Sequence, residues 1–160
     1  MIEDELAAEV VRRAKARGVT IVTAESCTAG TVALALSKAP GAGDVLYGGF
    51  IVYSKEMKAQ VLGVRLDLLH ERGAVCAEVA AAMAQGALNN SPADIAIAVT
   101  GVAGPEPDED GNPVGLVYFG ACSRNVEIYT ERHMFSDRSQ ENFLRSTVQS
   151  ALVILQKFCR

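Results

Sequence analysis

The chain has 160 residues, of which 49% are hydrophobic and 21% charged, with four cysteines, no tryptophan and a formal net charge of −4. That length suits one domain, spanning residues 1–160, that buries roughly 70% of its unfolded-state surface, and the modest charge excludes a disordered tail. The acidic balance excludes a partner held through nucleic-acid phosphates, and no apolar run reaches the roughly 18 residues that a membrane span needs.

In chain order, Glu3 to Arg17 carry Leu6, Val10, Val11 and Ala14 at helical spacing, and Gly18 stops that helix. Val19 to Ala24 is short and β-branched, a buried strand. Thr28 to Lys38 reads as a helix closed by Pro40-Gly41. A second strand ends at Phe50 to Tyr53, and Ser54 is the expected N-cap of a helix to Leu62. Helices follow at Leu66–Glu71 and Ala77–Leu88, then a buried strand at Asp94–Thr100 and an acidic Gly/Pro loop at Gly101–Pro113. Val114–Cys122 and Val126–Phe135 read as an antiparallel strand pair, and the last helix runs from Gln140 to Phe158. Alternating helices and strands with a late hairpin predict a mixed sheet covered on both faces, an α/β fold.

Cys27, Cys76, Cys122 and Cys159 are scattered, with no CxxC spacing and only His70 and His133 to join them. This supports neither a disulfide framework nor a zinc site, so the thiols are expected reduced, in the cytoplasm, with no metal. The acidic, amphipathic start MIEDELAAEVVRR argues against secretion.

In open sheets ligands sit beyond the carboxyl ends of strands, which directs attention to the residues after Ala24, Tyr53 and Thr100. At the first end, Glu25-Ser26-Cys27-Thr28-Ala29-Gly30 form a strand-to-helix turn. A serine there is a candidate acyl-transfer nucleophile, with helix-terminal amides as oxyanion donors. The same residues admit a plainer role as helix caps, and Cys27 is a rival nucleophile. At the second, Ser54 as N-cap places Lys58 at the fourth helical position. There the helix dipole and burial against Val61 and Leu62 lower an ammonium pKa towards that of a general base. Lys55 lies about 60° away round the helix and is read as solvated surface, a reading also open to Lys58. At the third, Thr100-Gly101-Val102-Ala103-Gly104-Pro105 lets backbone approach a ligand, but it is neither a Walker A loop nor GxGxxG.

The loop Pro105–Pro113 departs from a calcium loop, because Pro113 replaces the required Gly and Phe119 the bidentate Glu; it is read as solvated. Arg145 edges the apolar arc of the last helix, either covering core with its stem or reaching an anionic substrate. His70 and His133 carry no catalytic signal.

TAESCTAG, GGFIVYSKEMK, SPADIAIAVTGVAGP, NPVGLVYFG and the Arg145 helix occur in one order over about residues 5 to 158. As a set they resemble the CinA C-terminal domain family, whose stand-alone members are nicotinamide-nucleotide amidases. The resemblance implies a three-layer α/β/α sandwich and a cofactor-free Ser/Lys hydrolase. That enzyme would convert nicotinamide mononucleotide and water to nicotinate mononucleotide and ammonia in pyridine-nucleotide recycling. It implies Ser26 as nucleophile, Lys58 as base and Tyr53 as a hydrogen-bonding partner of the pair. Glu25, Thr28, Gly30, Thr100, Gly101, Gly104 and Arg145 fall on the substrate side, and a homo-oligomer is expected. Two departures stand out: the family commonly reads CTGG where this chain has Ala29, and Ser where Cys76 precedes a helix. A different class, a nucleotide-binding or protein-interaction module of the same family without turnover, is the alternative; it would not need a nucleophile and base together.

Overall fold

The computed structural model describes residues 1–137 and 139–160. The elements are α1 (Ile2–Arg17), β1 (Ile21–Glu25), α2 (Thr31–Ser37), β2 (Leu46–Ile51), α3 (Lys55–Leu62), α4 (Leu66–Arg72), α5 (Ala77–Asn89), β3 (Ile95–Gly101), β4 (Leu116–Ser123), β5 (Val126–Met134) and α6 (Gln140–Phe158). A 3-10 turn at Ala42–Asp44 leads into β2.

The five strands form one mixed sheet in the order β2-β1-β3-β4-β5. The first three are mutually parallel, while β4 and β5 run antiparallel as a hairpin. Side chains alternate across the sheet with period two. On one face Ile21, Ile95, Ile97, Val99, Val117 and Phe119 pack against α1, α2 and α6; on the other Val22, Ala24, Ala96, Ala98 and Cys122 pack against α3, α4 and α5. Both faces of β3 are covered, which is why its sequence is continuously apolar rather than alternating. This is the α/β/α sandwich.

The two faces differ in bulk, and that sets how closely the helices sit. Where Ile and Val face α1 and α6, Ala and Gly face α5. A Cβ added at Gly120 would come within 2.3 Å of the Ala80 carbonyl oxygen, so only glycine allows α5 to lie this near β4.

Predicted helix boundaries after the first turn hold to within a residue, while β2 ends at Ile51 rather than Tyr53, β4 starts at Leu116 rather than Val114, and the first turn differs most. The helix expected from Thr28 begins at Thr31, because Ala29 (φ 47°) and Gly30 (φ 96°) adopt left-handed backbone and interrupt the helical progression. β1 starts at Ile21 rather than Val19; the Thr20 amide is taken by the Asp94 carboxylate at 2.8 Å, outside the ladder.

Parallel register positions the chemistry. Glu25, the last residue of β1, lies opposite both Ile51 of β2 and Val99 of β3. The residues that follow all three strands therefore leave the sheet at one edge.

Two of the family departures have local structural readings. Cys76 is the N-cap of α5 and makes no side-chain capping bond; its Sγ is instead 3.8 Å from the Gly73 carbonyl oxygen. Cys76→Ser should cap the Val79 amide and raise stability by about 1 kcal/mol in denaturant titrations. Ala29→Gly exchanges a left-handed alanine, costing about 1–2 kcal/mol, for added unfolded-state entropy of about 0.4–1 kcal/mol, so a gain of about 0.5–1 kcal/mol is expected by the same measurement.

Candidate active site

The turn after β1 is organised by a buried carboxylate. Glu25, 1% exposed, accepts five hydrogen bonds: from the hydroxyls of Thr23 (3.0 Å) and Thr28 (2.6 Å) and the amides of Gly30 (3.2 Å), Val32 (2.9 Å) and Ala33 (3.0 Å). An anion at the amide-rich start of α2 satisfies donors that the helix itself leaves unpaired. The Ser26 amide donates to the Val99 carbonyl at 3.0 Å, tying the turn to β3. The N–H groups of Cys27 and Thr28 make no hydrogen bond to a backbone carbonyl among the described residues.

The second wall comes from α3. Ser54 is its N-cap, accepting the Met57 amide at 3.1 Å, and this local signal places Lys58 one turn into the helix. Lys58 is 1% exposed. Its Nζ lies 2.8 Å from Ser26 Oγ, 2.9 Å from the Val52 carbonyl oxygen and 3.4 Å from that of Tyr53. All three partners are uncharged, so burial dominates and pushes the Lys58 pKa down from 10.5 to about 8, and the nearby Lys55 ammonium adds to that lowering. A neutral amine has two N–H bonds and one lone pair. With both carbonyls taking the N–H bonds, the lone pair is left for the Ser26 O–H.

Ser26, Cys27, Tyr53, Lys58, Thr100, Gly101 and Gly104 line one cavity of about 450 Å³, and segment 106–110 forms its outer wall. Thr100 donates to the Ala74 carbonyl at 2.7 Å. A Cβ on Gly101 would meet the Leu116 carbonyl oxygen at 2.9 Å and Cys27 Sγ at 3.2 Å, so the glycine lets the turn and β4 converge there. Burial raises the Cys27 thiol to about 12, so it stays protonated beside Ser26.

Several expected site residues take other positions. Glu25, Thr28 and Gly30 build the turn through their mutual hydrogen bonds and do not line the cavity. The Tyr53 side chain is 70% exposed, and the residue reaches Lys58 through its carbonyl, since the hydroxyl forms no hydrogen bond among the described residues. Arg145 lies in a separate groove with Thr31, Leu34 and Lys38, paired with Glu3 at 3.3 Å and Glu141 at 3.6 Å. Its place on α6 turns it towards α1. Lys55, read as surface, has its side chain only 15% exposed and pairs with Asp110 and Glu109 of the acidic loop.

A wider cleft of about 830 Å³ opens at the other end of the sheet, among Arg17, Asp94, Arg124 and Lys157, but among the described residues that line it no hydroxyl or thiol is hydrogen-bonded to a lysine or histidine. Among the described residues no group of three or more His, Cys, Asp or Glu is arranged to hold a metal ion.

A Ser/Lys pair at the carboxyl edge of a mixed α/β/α sheet is the setting in which relatives become informative. The chain belongs to the CinA C-terminal domain family, whose model matches residues 3–159. It is 38% identical over 154 residues to the nicotinamide-nucleotide amidohydrolase PncC of Escherichia coli K12, covering 96% of this chain and 93% of that protein. It is also 40% identical over 159 residues to a putative competence-damage inducible protein of Halothermothrix orenii, covering 99% of this chain but only 38% of that longer protein. The crystal structure of the competence/damage inducible protein CihA from Agrobacterium tumefaciens superposes with a TM-score of 0.96 at 35% identity, covering 100% of this chain and 97% of that one.

Lys58 binds its proton less tightly folded, near pH 8, than unfolded, near 10.5. Between those values the unfolded chain holds more protons, so stability rises with pH; below pH 8 the full cost of about 3 kcal/mol is present. Denaturant titrations from pH 7 to 9 should show the native protein gaining stability relative to Lys58→Met as pH rises, a difference in which the opposite pH dependence of the buried thiols cancels. Equal slopes in the two proteins would mean that Lys58 is not the group responsible.

Proposed function

We propose that this chain is a serine/lysine amidohydrolase of nicotinamide nucleotides, acting in pyridine-nucleotide recycling. The observation that carries the mechanism is the 2.8 Å contact between Lys58 Nζ and Ser26 Oγ at the floor of the cavity. The substrate class rests on the near-full-length similarity to the Escherichia coli amidohydrolase. Four unpaired cysteines fit a reducing compartment such as the cytoplasm.

Neutral Lys58 accepts the Ser26 proton as Oγ bonds to the carboxamide carbon and the carbonyl π electrons move onto oxygen. The amides of Cys27 and Thr28, which bond to no backbone carbonyl, are the oxyanion donors available at this turn. The oxyanion then reforms the carbonyl, the C–N bond breaks, and Lys58 returns its proton to nitrogen so that ammonia departs. Water attacks the resulting ester with Lys58 again as base. Collapse releases the carboxylate and restores the Ser26 hydroxyl. The Val52 and Tyr53 carbonyls hold the amine through both half-reactions and stabilise the ammonium while it carries the proton.

Ammonia release from nicotinamide mononucleotide, compared with free nicotinamide and the dinucleotide, tests the reading directly. Turnover should rise with pH until Lys58 loses its proton near 8, then level off. Ser26→Ala should lose about 10⁴-fold or more in kcat, and Lys58→Arg should be as inactive as Lys58→Ala, because a guanidinium keeps its proton. Cys27→Ala should retain turnover; loss there with activity kept in Ser26→Ala would transfer the nucleophile to sulfur.

A further inference from the structure

Two lysines on α3 share the cavity in contrasting surroundings. Lys58 sits on the floor among neutral oxygens. Lys55, three residues earlier, is held by Asp110 Oδ1 at 2.9 Å and Glu109 Oε1 at 3.2 Å. Both carboxylates belong to the segment Pro105–Pro113, whose shape is set internally: Asp108 accepts the amides of Asp110 at 3.0 Å and Asn112 at 2.8 Å, and the Asn112 side chain at 2.8 Å. Asp110 also lies against Gly73, where an added Cβ would be 2.8 Å from its Oδ2. The segment is thus a preformed strap fastened to α3 by one ammonium.

The charges lining the cavity oppose the substrate's phosphate. Glu56, Glu106, Asp108, Glu109 and Asp110 face it, and among the described residues Lys55 is the only cation there besides the base. Arg145, the other candidate for an anion, opens into a different groove. An entering phosphate monoester therefore has one cation to meet, and that cation is already occupied. Ion pairs near the surface exchange at little cost, and a phosphate dianion brings to one centre the charge that Asp110 and Glu109 supply from two side chains.

Resting on the nucleotide reading above, we propose that Lys55 is the specificity residue for the phosphate. It binds the phosphate monoester in exchange for Glu109 and Asp110, whose strap closes on Lys55 when no anion is bound. Like-charge repulsion between phosphate and the released carboxylates then moves the strap off the cavity. The strap is a built-in competitor of the substrate, and neutralising it should tighten binding.

The test compares nicotinamide mononucleotide with the phosphate-free nicotinamide riboside. Lys55→Gln should raise KM for the mononucleotide by about 10- to 100-fold, the worth of a charge-assisted hydrogen bond, and at least about tenfold more than for the riboside. Lys55→Arg should recover most of the loss. Losing the Lys55 charge also raises the Lys58 pKa, but that acts on both substrates and cancels in their ratio. The double variant Glu109→Gln/Asp110→Asn should lower KM for the mononucleotide several-fold. Equal losses on both substrates in Lys55→Gln, or a raised mononucleotide KM in the double variant, would overturn the proposal. Calorimetric titration with ribose 5-phosphate, which has no amide, gives a readout independent of turnover. Affinity should rank double variant above native above Lys55→Gln, and any other order sinks the exchange. If no ammonia is released from either substrate, the amidase reading falls while this titration still decides the role of Lys55.

Discussion

Lys58 is buried with no counterion among the described residues, and the surrounding structure is arranged to tolerate it. A buried ammonium would ordinarily be paired with a carboxylate, yet here it meets two backbone carbonyls and a hydroxyl. A carboxylate partner would stabilise the charged form and keep the proton on nitrogen; dipoles alone leave the pKa near 8. Holding those dipoles in place is the task of the sheet. The Val52 amide bonds to the Glu25 carbonyl at 2.9 Å, so the chain leaving β2 stays registered against β1, and the Ser54 cap starts α3 immediately afterwards. The pKa, the strand register and the helix cap are one problem with one solution.

Glu25 carries the matching constraint on the Ser26 side. Five donors converge on its carboxylate, and three of them are amides at the start of α2. The anion is therefore consumed by the turn and leaves nothing with which to pair Lys58. Replacing it with an uncharged side chain of the same size would weaken most of those bonds together, because each donor in the turn depends on the same two oxygens. The negative charge holds the shape of the turn, and Lys58 is left without a carboxylate partner among the described residues.

The parts legible in the sequence are those set by neighbours along the chain. A β-branched run covered on both faces, a Ser three residues before an amide it caps, and reactive residues just past parallel strands all follow from local rules, and the structure places Ser26, Lys58, Thr100, Gly101 and Gly104 round one cavity accordingly. The parts that were not legible depend on backbone atoms or distant partners. The Val52 and Tyr53 carbonyls carry no residue-type signal. Lys55 and Asp110 are 55 positions apart, and nothing near either one announces the other. Arg145 shows the limit of helical periodicity: it locates the residue at the edge of an apolar arc, but which neighbour lies beyond that edge is decided by how α6 packs on α1.

The cavity is thereby divided electrically. Its floor holds a lysine whose pKa desolvation lowers to about 8, while its outer wall holds a lysine kept charged by two carboxylates, which raise its pKa. The two are coupled, because the Lys55 charge also presses the Lys58 pKa down. A carboxylate strap that fully neutralised Lys55 would weaken this influence, whereas a ligand that draws the strap away while leaving the ammonium in place alters both the access and the basicity of the floor. One turn of one helix, Lys55 to Lys58, therefore links what happens at the mouth of the cavity to the proton affinity of the amine beside Ser26.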